Sequence, residues 1–166
     1  VDATYLKNHI AELERLPIDG LVISVHPDDK KSSEVGRINL SLGGQFKREH
    51  YKQAIANLKE TKFTRFTDNF IDFSLCGNNA YDWFDDERWS IYAKNAAVLA
   101  SVAKQAGLKG LEMDVEQYGG ANVPVPYPFS YKWRKDRSQR SFEEVATRVR
   151  HRGRELIEAI TAEYPD

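Results

Sequence analysis

Residues 107–120 read Gly-Leu-Lys-Gly-Leu-Glu-Met-Asp-Val-Glu-Gln-Tyr-Gly-Gly, and three acids, Glu112, Asp114 and Glu116, alternate there with Leu111, Met113 and Val115. A period of two is the signature of a strand, whose successive side chains point to opposite faces. Gly110, Glu112, Asp114 and Glu116 therefore share one face, and the apolar residues share the other. An acidic face of this kind is either solvated on an edge strand or gathered into a site.

The flanking segments bear on that choice. An amphipathic helix starts at Thr4 and carries Tyr5, Leu6, Ile10, Leu13 and Leu16 at three- and four-residue steps, until Pro17 and the Asp19-Gly20 turn end it. Leu21 to Val25 is a short β-branched strand, followed by a polar loop. A second helix covers Lys47 to Thr61, and a second strand covers Asn69 to Leu75. Asp85 or Asp86 caps an alanine-rich helix that stops at Gly107. Beyond the acidic strand lies a long loop, Gly119 to Arg140, rich in Pro and aromatic residues. Ser141 and Glu144 then form a capping box that opens a last helix, with arginines along one side.

The order α-β-α-β-α-β-α predicts an α/β fold with a parallel sheet. Because three strands make a poor sheet alone, the expectation is a single domain over 1–166 that forms part of a (β/α) TIM-type barrel, with a small complete α/β sandwich as the rival. It would cover about strands 2–4, with the rest of the barrel supplied by a longer chain. In that setting Leu111, Met113 and Val115 pack under helices and the acids point inward. Glu116 then lies at the C-terminal mouth, where barrel enzymes place their chemistry. His26 ends the first strand in the same parity as Ser24, and Asp72 shares a parity with Ser74 in the second. Buried carboxylates repel one another, so one of a pair stays protonated. A protonated acid beside an ionised one suits general acid catalysis at a glycosidic oxygen.

The stretch Gly-Leu-Glu-Met-Asp-Val-Glu-Gln-Tyr, 110–118, resembles the fourth-strand motif of the family 18 glycoside hydrolases, D-G-x-D-x-D-x-E followed by an aromatic residue. The resemblance implies that Glu116 is the general acid, that Asp114 is its partner and that Tyr118 takes the aromatic position. Lys109 and Glu112 stand where that motif has Asp, so a preference for N-acetylated sugars is not implied. More widely, Thr67–Phe70, Asp82–Trp89 and Gly107–Tyr118 resemble uncharacterised bacterial proteins with glycoside-hydrolase-like barrels. The family 18 resemblance implies a carbohydrate substrate, the wider one names no substrate, and no cofactor or metal is expected. Glu112, His26, Asp72, Tyr118, Trp83, Tyr127 and Trp133 are the expected substrate contacts, since aromatic rings stack on sugar faces and polar groups bind hydroxyls.

Three other readings come from the same residues, one of them a metal-dependent barrel hydrolase with Asp114 and Glu116 as ligands and His26 joining them. His26-Pro27-Asp28-Asp29 resembles the zinc motif of LmbE-like sugar deacetylases, with His26 and Asp29 as ligands and Asp28 as base. Lys30 replaces the Glu of that motif, and its later histidine pair is missing. A non-catalytic carbohydrate-binding protein is the third reading. A net charge of −1 provides no global field for nucleic acid. The charge run Lys132 to Arg140 reads as a solvated loop. The single cysteine, Cys76, has no partner for a disulfide or a thiolate metal site. No apolar run approaches the roughly 20 residues that cross a bilayer. No signal peptide is present, although the chain opens inside a helical pattern and one could have been removed.

Overall fold

The structure, a computed structural model, describes residues 1–28, 44–75, 82–115 and 129–165. Helix α1, Ala3–Leu13, starts because the Asp2 carboxylate accepts the N–H groups of Thr4 and Tyr5, both at 2.9 Å. Strand β1, Val22–Ile23, is short. A 3₁₀ turn, Arg48–Tyr51, leads into α2, Lys52–Glu60, and then strand β2, Phe70–Ser74. Helix α3, Asp86–Ala106, is capped by Asp85 and closed by Gly107, whose φ of 71° suits a residue without Cβ. Strand β3, Gly110–Asp114, follows. Helix α4, Phe142–Glu163, opens with the capping box of Ser141 and Glu144.

The three strands are parallel in the order β1-β2-β3. Asp2 adds an isolated parallel bridge to Ser24 on the far side of β1. Ile23, Ile71 and Phe73 share one face of the sheet and join a buried cluster with Leu6, Leu58, Leu99 and Val102 from the helices. Helix α3 packs on β2 and β3 and lies between α2 and α4. Arg152, buried inside this layer, ties α4 to the start of α3. Its guanidinium donates to the Trp83 carbonyl at 2.9 Å and to Glu155 at 2.7 Å, and it pairs with Asp86. At the other end of α4, the Tyr164 hydroxyl donates to the Leu108 carbonyl at 2.8 Å. Among the described residues no helix is long and apolar enough to cross a membrane.

The barrel expectation is overturned. The strands form a small open parallel sheet, and among the described residues β3 pairs with β2 alone. A barrel of this type needs eight strands, each hydrogen-bonded on both sides. Alternation of helices with short apolar strands is common to open and closed parallel sheets, so the pattern could not separate them. The expected covering of β3 is corrected with it. Leu111 packs against the core, but Met113 is 45% exposed and Val115 36%. Helix α3 covers the start of β3, and among the described residues no further strand lies beside its end.

Candidate functional site

Directly paired residues of a parallel sheet project to the same face. The register sets Asp72 beside Glu112 and Ser74 beside Asp114, so these four residues line the face opposite Ile71 and Phe73. Asp72 and Ser74 are buried on the central strand, while Glu112 and Asp114 are half-buried on the edge strand. The ends of the two strands are locked together, since the Leu75 N–H donates to the Asp114 carbonyl at 3.1 Å. Three carboxylates and a hydroxyl thus lie together near the C-terminal ends of parallel strands, the end at which open α/β sheets bind ligands. Lys109 points its charge elsewhere, in an ion pair with Asp68 before β2.

No family model, curated protein or solved structure matches this chain.

The remaining expected residues scatter. Glu116, Tyr118, Tyr127 and Asp29 lie outside the described residues. Trp83 is only 2% exposed, stacked on Trp89 with centroids 5.1 Å apart and met edge-on by Phe129. Its ring is a core element rather than a platform for a sugar. Trp133 is 59% exposed on a 3₁₀ turn, with the Lys132 ammonium 5.2 Å from its centroid.

His26 sits apart from the carboxylates in a pocket of about 210 Å³ at the end of β1. Asp2, Ser24, Asp28, Gln53 and Asn57 complete the main walls. Both Asp28 carboxylate oxygens accept the Gln53 backbone N–H at 3.2 Å, so Asp28 fastens the start of α2. That role gives the zinc reading no support, and among the described residues no group of three or more His, Cys, Asp or Glu is placed to hold a metal ion. Burial lowers the His26 pKa, and nearby Asp2 pulls it back only in part, so the imidazole is kept neutral. Sequence reading missed Asn57, although a trace was present. Asn57 lies between Ala54 and Leu58 on the buried side of α2, a polar residue inside an apolar stripe. Its amide donates to the Thr4 hydroxyl at 3.0 Å and accepts from the Gln53 side chain at 3.1 Å.

A larger groove of about 760 Å³ runs along α4 beside Phe84. Its arginines are largely spent on local partners, Arg148 on Asp86 at 3.0 Å and Arg150 on Glu143 at 3.2 Å. The adjoining charge run behaves similarly. Arg134 and Arg140 both pair with Asp136, and Arg140 lies 3.7 Å from the Phe84 centroid.

Proposed function

We propose that this protein is a glycoside hydrolase whose acid–base chemistry is carried by the polar face of the sheet. The observation supporting it is the register that sets Asp72 beside Glu112 and Ser74 beside Asp114 on one face. Such a face offers carboxyl groups in different surroundings, from the enclosed Asp72 to the partly open Asp114. Asp114 orients the substrate and stabilises positive charge developing at the sugar. Glu116, two positions further along the same alternation, donates the proton to the leaving oxygen, a role assigned from the sequence motif. Substrate is an oligosaccharide or polysaccharide.

A panel of polysaccharides assayed for reducing ends tests the proposal. The protein is expected to hydrolyse at least one, and Asp114→Asn is expected to lower that turnover by about 100-fold or more while leaving the thermal unfolding curve in place. Binding without turnover anywhere on the panel would instead favour a carbohydrate-binding protein. Loss of activity with a chelator and its return with zinc would favour the deacetylase.

A further inference from the structure

The pocket at the end of β1 takes no part in the roles proposed for Asp114 and Glu116, yet it is built from polar groups with hydrogen-bonding capacity to spare. Asp2 and Asp28 have their carboxylates turned to backbone N–H groups at the starts of α1 and α2. Helix N-termini offset such charges. Among the described residues no lysine or arginine lines the pocket, and the Asp2 and Asp28 carboxylates disfavour an anionic ligand. What remains is neutral: the Ser24 hydroxyl, the Gln53 side-chain carbonyl and the His26 ring.

The state of that ring follows from its surroundings. Nδ1 of His26 is enclosed and has no hydrogen-bond partner among the described residues. An enclosed N–H without a partner costs more than an enclosed lone pair. The proton therefore sits on Nε2, and the ring enters the pocket as a hydrogen-bond donor. A donor, a hydroxyl and an amide carbonyl around about 210 Å³ match a small ligand rich in hydroxyl groups.

We propose that the β1 pocket, walled by Ser24, His26, Gln53 and Asn57, binds one neutral hydroxyl-rich ring, a single sugar unit. The choice of a sugar among neutral polyols rests on the glycoside hydrolase reading. The pocket opens at the end of β1, the same end of the sheet as Ser74 and Asp114. A sugar held there gives a glycan chain a fixed point from which to run across the polar face.

Titration with D-glucose, D-xylose and N-acetyl-D-glucosamine, followed through the His26 ring-nitrogen resonances, tests the pocket. At least one sugar is expected to shift those resonances saturably at millimolar concentration. Gln53→Met is expected to weaken that affinity about tenfold. This variant keeps the backbone N–H that Asp28 holds, so the start of α2 is preserved. The pocket assignment fails if no sugar moves the His26 signals, if Gln53→Met binds as tightly as the parent, or if methylammonium moves the signals and the sugars do not. Sugar binding at His26 with no hydrolysis of any polysaccharide on the panel would sink the hydrolase reading and leave the pocket standing. Hydrolysis without any His26 shift would do the reverse.

Discussion

Strands β2 and β3 carry the same kind of alternation and meet different fates. Both place apolar residues on one face and polar residues on the other, and Phe73 is the direct neighbour of Met113. Phe73 is 1% exposed and Met113 45%. The difference lies in their neighbours. β2 is hydrogen-bonded on both sides and lies under α3, whereas β3 is paired only with β2 among the described residues. Burial of an acidic face thus depends less on the strand that bears it than on the strands and helices beside it. The central strand buries Asp72 and Ser74, and β3 leaves Glu112 and Asp114 half-exposed.

The contrast can be broken most directly at that cross-strand pair. Phe73→Ala is expected to cost about 3–5 kcal/mol of unfolding free energy in urea, and Met113→Ala less than about 1 kcal/mol. Comparable losses at the two positions would mean that the end of β3 is covered after all. Next in size is the approach to β2. A Cβ on Gly20 would lie 1.8 Å from the Asp68 carbonyl oxygen, and the Asp19 carbonyl accepts the N–H groups of Thr67 and Asp68 at 2.8 and 3.1 Å. Gly20→Ala is therefore expected to cost about 1–3 kcal/mol, measured in the same urea titration. An unchanged midpoint would show that this turn does not hold the central strand in place.

The smallest effect concerns Glu14, which clamps the segment before β2. Its carboxylate accepts the backbone N–H groups of Thr64, Arg65 and Phe66 at 2.8, 2.8 and 3.0 Å. Desolvation opposes its ionisation, but these bonds together with the Thr64 hydroxyl outweigh it and hold the pKa at about 2, against an ordinary 4.5. The folded state binds this proton less readily than the unfolded chain. The stabilisation is therefore complete above pH 4.5 and is lost as pH falls towards 2. Glu14→Gln is expected to lose about 1 kcal/mol at neutral pH, a figure already reduced for solvent screening. Its stability should also fall less steeply than the parent's across that acid range. Parallel acid-unfolding profiles would remove Glu14 from the account.

Much of the fold could be read from the chain because its signals are local. Caps at Asp85, Ser141 and Glu144, the stop at Gly107, and the order of helices and strands all follow from short-range chemistry. Closure of the sheet is not local. Nothing in residues 107–120 reports whether another strand lies beside them, and there the expectation of a barrel failed. The site divides along the same line. Parity placed Asp72, Ser74, Glu112 and Asp114 on a common side of their strands, and the register brought them together. Trp83 resisted, since a loop tryptophan looks the same in sequence whether it meets a ligand or stacks on Trp89. The β1 pocket was half visible, in His26, and half hidden in Asn57 and Gln53 on a helix that reads as amphipathic packing.

The central claim is that a carboxylic acid at the end of the acidic strand protonates a glycosidic oxygen. It is tested most directly by the turnover of two aryl glycosides of one sugar, one with a good and one with a poor leaving group. The parent protein and Glu116→Gln are compared on both. A dinitrophenolate departs without help, whereas a methoxyphenolate needs the proton. The expected result is near-parental turnover by Glu116→Gln on the dinitrophenyl glycoside and a loss of about 100-fold or more on the methoxyphenyl glycoside. Equal loss on both substrates, or no loss on either, would contradict the assignment of Glu116 as the general acid.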